Sequence, residues 1–217
     1  MIPQLVIFDC DGVLVDTEGP TAEVIAANLT GYGLPITAAQ VDALFTGGTM
    51  ESVEAEAKTR GAALPSDWLD EIYGAIFARL DAGVALLPGL MDLLDALDTA
   101  GVAQFVASNG PMAKMQRSLG PSGLWDRFGG EEAGRILSRE HHRPKPDPAM
   151  ILHALARTGA DPARTVMIDD SPTGCRAALA AGVRCIGFDA HGQTDRLTPL
   201  GIELAPDMAT VRRMILT

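Results

Sequence analysis

The sequence predicts an α/β fold, in which a parallel sheet is covered by helices on both faces and one all-helical insertion interrupts the chain. The first observation is an apolar run over residues 5–8 that stops at two carboxylates, Asp9 and Asp11. Strands that are buried on both faces have continuous apolar runs of this kind. The second observation is the alternation of helical and strand patterns from Pro88 to Phe188, which is typical of parallel sheets.

The segment after the two carboxylates is helical in pattern throughout. Thr37 and Thr49 stand at positions that suit helix N-caps, and apolar side chains recur between glycines at helical spacing. The sequence therefore predicts an all-helical domain over residues 17–87. This domain is expected to be inserted into a core domain formed by residues 1–16 and 88–217.

The remainder of the core domain alternates between the two kinds of element. Strands are expected over residues 102–107, 135–137, 165–168 and 183–188. Helices are expected over residues 88–101, 112–119, 146–158 and 172–182. Each helix is followed by a strand pattern, so the strands are predicted to run parallel.

Composition excludes several classes of function. The formal net charge of −11 argues against a nucleic-acid surface, which needs basic side chains to neutralise phosphates. Cys10, Cys175 and Cys185 are odd in number and form no C-x-x-C pair, so neither a disulfide framework nor a zinc site is expected. No signal peptide or membrane span is expected from the sequence. These features predict a soluble cytoplasmic protein without a nucleic-acid or membrane partner, and leave open a monomer or a small homo-oligomer.

Polar residues follow three of the predicted strands at the point where each strand ends. They are Asp9 with Asp11, Ser108 with Asn109, and Asp169 with Asp170. Because ligands of parallel sheets bind beyond the carboxyl ends of the strands, these side chains are expected to lie close together. Lys145 is a fourth contribution, from a loop that its flanking prolines hold extended.

The residue types at this edge indicate phosphate chemistry. Several carboxylates in one pocket repel each other unless a hard cation lies among them, and Mg²⁺ prefers oxygen ligands. The Lys145 ammonium and the Ser108 hydroxyl can neutralise and bind a phosphate. One carboxylate can attack phosphorus to form an aspartyl-phosphate, while another protonates the leaving oxygen.

These residues, in this order, resemble the four motifs of the haloacid dehalogenase-like hydrolase superfamily. The motifs are Asp9-x-Asp11-Gly12-Val13, Ser108-Asn109, Lys145 before Pro146-Asp147-Pro148, and Asp169-Asp170-Ser171. The insertion resembles that family's small helical cap, and the resemblance implies a Rossmann-like core. The segments 106–116 and 145–149 are similar to those of bacterial 6-phosphogluconate phosphatases and related sugar phosphatases.

The resemblance implies a role for each of the seven residues. Asp9 is the expected nucleophile and Asp11 the expected general acid and base. Ser108, Asn109 and Lys145 are expected to bind the substrate phosphate, Ser108 and Lys145 as part of the catalytic machinery. Magnesium is expected on Asp9, Asp169, Asp170 and the backbone carbonyl of Asp11. The implied reaction is hydrolysis of a small phosphate ester, a sugar or sugar-acid phosphate.

Two departures from relatives of the β-phosphoglucomutase type favour hydrolysis over phosphoryl transfer. Those relatives carry a histidine where this chain has Thr21, and a basic residue in the loop that here reads Phe45-Thr46-Gly47-Gly48-Thr49. A mutase must hold a second, distal phosphate, and the missing cation removes that contact. A phosphomutase and a phospho-receiver module without turnover remain as alternatives, and the helical insertion argues against the receiver.

Several of these residues also have structural interpretations. Ser108 and Asn109 equally suit the cap of the next helix, and Lys145 in isolation suits a surface position. His141 and His142 are expected in a solvated loop. Cys10 lies between two acids, which should raise the pKa of its thiol, so packing is its expected role.

Overall fold

The computed structural model describes residues 2–45, 49–190, 192 and 194–217. The chain divides into two compact units, one formed by Met1–Val15 with Ala85–Thr217 and the other by Asp16–Val84. No helix in the described part of the chain combines the length and the apolar character that a membrane crossing requires.

The helices and strands have the following bounds. The strands are β1 Leu5–Phe8, β2 Ala103–Ser108, β3 Ile136–Ser138, β4 Thr165–Asp169, β5 Arg184–Phe188 and β6 Glu203–Ala205. The helices are α1 Glu18–Gly31, α2 Ala38–Phe45, α3 Met50–Thr59, α4 Trp68–Asp81, α5 Leu90–Thr99, α6 Met112–Leu119, α7 Leu124–Arg127, α8 Ala149–Thr158, α9 Pro172–Ala180 and α10 Met208–Leu216.

The first unit is built on a six-stranded sheet with the order β3-β2-β1-β4-β5-β6, in which every neighbouring pair is parallel. Strand β1 lies at its centre, and all four of its residues are fully buried. Phe8 pairs with Val106 of β2 and with Ile168 of β4. The chain beyond β1 therefore emerges between the ends of β2 and β4. The predicted α/β class is confirmed.

Helices cover both faces of this sheet. Leu5, Ile7 and Phe105 face the core that includes side chains of α8 and α9. Alternate residues of a strand point to opposite faces, so Gln104 lies on the other face. There its amide donates a hydrogen bond to the carbonyl of Leu94 in α5. This two-sided cover explains why β1 is apolar throughout.

The second unit contains helices α1 to α4, and no strand is assigned in its described residues. Its core includes the fully buried side chains of Leu29, Trp68 and Leu80. The Trp68 indole donates a hydrogen bond to Asn28 at 2.6 Å. Thr49 caps α3 in a reciprocal capping box with Ser52, as its position predicts.

The structure differs most from the sequence prediction at three places. Helix α8 begins at Ala149 and not at Pro146, because prolines at 146 and 148 keep the residues before them out of the helical conformation. Helix α7 lies between residues 119 and 135, where no helix or strand is predicted from the sequence. Strand β6 and helix α10 follow the last predicted element and were not anticipated.

Candidate active site

Two buried carboxylates lie side by side where neighbouring strands end. Asp9 follows β1 and Asp169 ends β4, and the register of these strands places Phe8 opposite Ile168. The amide of Asp9 donates a hydrogen bond to the Ile168 carbonyl at 2.9 Å. Asp9 is 8% exposed and Asp169 is fully buried. One carboxylate oxygen from each, and one from Asp170, all lie within 4.8 Å of one another.

Lys145 places its ammonium between the two buried carboxylates. Its Nζ lies 3.0 Å from Asp9 Oδ1 and 2.7 Å from Asp169 Oδ2. Burial by itself would lower the pKa of this ammonium, but the charges and hydrogen bonds of Asp169 and Asp9 outweigh it and raise the pKa above its ordinary value. The lysine is therefore held in its charged form.

The pKa of Asp9 is raised to about 7. Burial is the largest cause, and Lys145 opposes it. The negative charges of Asp169 and Asp11 add to the increase. When Asp9, Asp11 and Asp169 are all ionised, the one positive charge of Lys145 does not balance their negative charges.

The donor set fits the predicted magnesium ion. Asp9, Asp169 and Asp170 supply carboxylate oxygens, which are the ligands that Mg²⁺ prefers in proteins. A divalent cation at these oxygens would balance the charge that Lys145 leaves uncompensated. The residues present therefore suit a hard cation better than a soft one.

The beginning of α9 fixes the orientation of Asp169. The backbone amide and the hydroxyl of Ser171 both donate to Asp169 Oδ1, at 2.9 and 2.7 Å. The same hydroxyl accepts a hydrogen bond from the amide of Gly174 and so caps the helix. A Cβ at Gly174 would lie 1.7 Å from Asp169 Oδ2. Only a glycine lets the helix approach the carboxylate this closely.

A second glycine brings the loop after β1 up to Asp170. Gly12 has φ +73°, a left-handed conformation that glycine adopts without strain. A Cβ at Gly12 would lie 2.3 Å from Asp170 Oδ2. The turn after Asp11 therefore needs glycine both for its backbone conformation and for the space beside Asp170.

Ser108 and Asn109 lie at the end of β2, beside β1. Ser108 is 2% exposed, and its hydroxyl accepts a hydrogen bond from the amide of Gly110 at 3.0 Å. Asn109 binds the backbone of Lys145 twice. Its Nδ2 donates to the Lys145 carbonyl at 3.0 Å, and its Oδ1 accepts from the Lys145 amide at 2.8 Å. These bonds hold the lysine loop against the end of β2.

Asp11 has a different partner from the other acids. Its Oδ2 lies 2.8 Å from the Nζ of Lys114 in α6, and both side chains are mostly buried. Burial lowers the pKa of the Lys114 ammonium, whereas the charge and hydrogen bond of Asp11 outweigh burial and raise it. Asp11 is not among the three residues whose side-chain oxygens cluster. The expected metal contact through its backbone carbonyl remains a prediction.

Cys10 is fully buried, as a packing role requires. Burial raises the pKa of its thiol well above the ordinary value, and the charges of Asp11 and Asp9 raise it further. The predicted direction of the pKa shift is confirmed, although burial is the larger cause.

His142, which was expected in a solvated loop, has an aromatic neighbour. Its ring centroid lies 4.6 Å from that of His153.

The sequence matches the haloacid dehalogenase-like hydrolase family over residues 3–182. This chain belongs to that family. It is 30% identical over 195 residues to the 6-phosphogluconate phosphatase of Escherichia coli K12, an alignment that covers 88% of this chain and 85% of the relative. It is also 30% identical over 212 residues to a phosphoglycolate phosphatase of Agrobacterium fabrum, covering 95% and 88%.

A solved haloacid dehalogenase-like structure has the same fold. A family hydrolase from Deinococcus radiodurans, crystallised with bound phosphate and sodium, superposes with a TM-score of 0.82 at 31% identity. The superposition covers 98% of this chain and 94% of that protein. The recognition of the family is confirmed, and so is the enzyme class, phosphoric monoester hydrolase.

Lys114 is a charged residue at this edge for which the sequence patterns predict no role in the site. It occupies the first turn of α6, shortly after Ser108 and Asn109. Cations are unfavourable near a helix N-terminus, because the helix dipole is positive there. A lysine at that position, directly after a strand-end motif, is the signal that could have identified it.

Proposed function

We propose that this chain is a Mg²⁺-dependent phosphatase that hydrolyses a small phosphorylated metabolite through an aspartyl-phosphate on Asp9. The observation that carries the proposal is the position of Lys145, whose ammonium contacts both Asp9 and Asp169 beside a third carboxylate, Asp170. A nucleophilic carboxylate, a buried cation and a cluster of hard ligands are the parts that phosphoryl transfer needs.

In the first step, a carboxylate oxygen of Asp9 attacks phosphorus. The bond between phosphorus and the ester oxygen breaks, and its electron pair stays on that oxygen. Asp11, two residues further on, donates the proton that converts the leaving oxygen into a hydroxyl. Lys145 and the Ser108 hydroxyl are proposed to bind the oxygens of the transferring phosphoryl group and to stabilise its charge.

In the second step, water attacks the phosphorus of the aspartyl-phosphate. The bond between phosphorus and Asp9 breaks, and its electron pair returns to the Asp9 carboxylate. Asp11 takes a proton from the attacking water and is thereby ready for the next substrate. The net reaction converts a phosphate ester and water into an alcohol and inorganic phosphate.

The carboxylates of Asp9, Asp169 and Asp170, with the backbone carbonyl of Asp11, are proposed to hold Mg²⁺. When bound, the ion neutralises phosphate charge and draws electron density from phosphorus. Ser171 keeps Asp169 oriented for this role through its two hydrogen bonds. Lys145 remains the cation that the chain itself supplies to Asp9.

Hydrolysis is favoured over phosphomutase transfer. Thr21 stands where β-phosphoglucomutase-like relatives have a histidine, and no basic residue occurs over residues 45–49. Residues 46–48 lie outside the described residues, and only their sequence bears on this choice. A requirement for a bisphosphate activator would instead favour the mutase.

The proposed substrate class is a sugar phosphate or a sugar-acid phosphate. The two phosphatases compared above are named for 6-phosphogluconate and phosphoglycolate, which are monoesters of small hydroxy acids. We propose no nucleic-acid or membrane partner, in keeping with the net charge of −11. The three buried free cysteines support a reducing, cytoplasmic compartment. The proposed assembly is a monomer or a small homo-oligomer.

The test measures phosphate release from 4-nitrophenyl phosphate and from a panel of sugar, sugar-acid and polyol phosphates. Wild-type protein is expected to turn over with Mg²⁺ and to lose activity with a chelator, and Asp9→Asn is expected to be inactive. Asp95→Asn is the matched control, because Asp95 pairs with Arg127 on the surface. Undiminished activity of Asp9→Asn would overturn the mechanism.

A further inference from the structure

We propose that Lys114 is a positioning residue for Asp11, fixing the carboxylate that exchanges protons with the leaving oxygen and with water. This inference rests on the proposed function and adds a residue to it. Of the three lysines in the chain, Lys58 lies in a surface pair with Glu54. Lys145 contacts Asp9 and Asp169, and Lys114 contacts Asp11.

The contact between Lys114 and Asp11 is short and largely shielded from water. Nζ lies 2.8 Å from Oδ2, and the two side chains are 17% and 25% exposed. An exposed ion pair constrains its members little, because solvent competes for both groups. A mostly buried pair with a direct hydrogen bond keeps its carboxylate in one orientation.

The pair lies at the same corner as the predicted phosphate-binding hydroxyl. A Cβ built on Gly110 would lie 3.2 Å from Ser108 Oγ, 3.7 Å from Lys114 Cδ and 3.8 Å from Asp11 Oδ2. All three side chains therefore surround a single glycine that has no side chain of its own. Lys114 is thus a neighbour of the reacting groups.

The backbone beneath Lys114 is fixed from the end of β3. Glu140 accepts a hydrogen bond from the amide of Met112, the first residue of α6, at 2.7 Å. The Ser138 hydroxyl donates to the Gly110 carbonyl at 2.8 Å and accepts from the Glu140 amide at 3.2 Å. Since the helix is held at its first residue, the lysine presents its ammonium to Asp11 from a defined place.

The chemical consequence concerns the leaving group. When Asp11 gives its proton to the leaving oxygen, it becomes a carboxylate whose charge Lys114 already faces. No bond to Lys114 forms or breaks. An alkoxide leaves only if it is protonated, whereas 4-nitrophenolate leaves without a proton. A residue that acts through Asp11 must therefore matter more for alkyl phosphates than for aryl phosphates.

The experiment compares Lys114→Met, Lys114→Arg and the surface control Lys58→Met on 4-nitrophenyl phosphate and on the best alkyl phosphate of the panel. Lys114→Met is expected to lower kcat/KM at least about tenfold for the alkyl ester, with a smaller loss for the aryl ester and little change in KM. Lys114→Arg should restore part of the loss. In an Asp11→Asn background, Lys114→Met should have little further effect.

Three results would overturn the proposal: equal losses for both esters, a change confined to KM, or effects that add in the double variant. A change confined to KM would instead indicate that Lys114 binds substrate directly. If circular dichroism shows that Lys114→Met is unfolded, Lys114→Gln is measured in its place, and the same results are expected. Wild-type activity that depends on Asp9 separates these outcomes from a failure of the proposed function.

Discussion

Asn109 binds the backbone of Lys145 through both polar atoms of its amide. The resemblance to the haloacid dehalogenase-like family implies a substrate-binding role for it, beside Ser108 at a strand end. The two hydrogen bonds give it a further role, which is to hold the lysine loop where the ammonium meets Asp9 and Asp169. We therefore expect Asn109 to act as a positioning residue for Lys145.

Asn109→Ala should lower kcat at least about tenfold while KM changes less, because small displacements of a catalytic cation are costly. The reason is that both hydrogen bonds to the lysine backbone disappear together. Steady-state kinetics on 4-nitrophenyl phosphate give the two parameters, and circular dichroism verifies folding. A loss found only in KM would show that Asn109 acts on the substrate and not on the lysine.

Sequence reasoning could propose Asp9, Ser108, Lys145 and the Asp169–Asp170 pair because each stands at a strand end or beside a proline-held loop. The contacts that the structure adds depend on which face of a helix a side chain occupies. Lys114 reaches Asp11 from the first turn of α6, and no spacing rule for strand ends predicts that contact. The sequence pattern predicts where strands end more readily than it predicts which side chains pack beside those ends.

At the scale of the element, α9 is built to approach Asp169. Its first turn carries Ser171 as the cap and Gly174 where any side chain would collide with the carboxylate. Helix propensity alone would favour alanine at an interior helical position. The close approach of helix and carboxylate outweighs that preference here.

Gly174→Ala should therefore destabilise the protein by about 1–3 kcal/mol, as overpacking does, and should abolish most activity by displacing Asp169. Gly74→Ala is the matched control, since Gly74 lies in α4 with no atom within 4 Å of a built Cβ. That control should stabilise by about 0.4–1 kcal/mol. Urea unfolding monitored by circular dichroism measures both, and a neutral Gly174→Ala would contradict the packing argument.

The strands and helices that were predicted from sequence agree with the structure closely where periodicity is strong. Helix α6 spans the predicted residues, and β4 and β5 differ from prediction by single residues. The later start of α8 reflects local proline sterics, and β6 has only three residues, too few for an alternating pattern to be recognised. Short edge elements depend on the sheet that they join.

At the scale of the whole molecule, the order of the sheet assembles the site. Placing β1 between β2 and β4 brings together residues that are far apart in sequence, such as Asp9 and Asp169. Sequence predicts parallel strands that share one edge, yet it cannot order them, because neighbours in a sheet need not be neighbours in the chain. The strand order β3-β2-β1-β4-β5-β6 is therefore visible only in the structure.

In the proposed mechanism this assembly makes a carboxylate oxygen of Asp9 the nucleophile that attacks phosphorus. The most direct measurement is peptide mass spectrometry of enzyme quenched in acid during turnover, using Asp11→Asn to slow hydrolysis of the intermediate. We predict one phosphoryl group on the peptide that contains Asp9, dependent on Mg²⁺ and absent from Asp9→Asn. Turnover without any phosphorylated Asp9, or a phosphoryl group found on another residue, would contradict it.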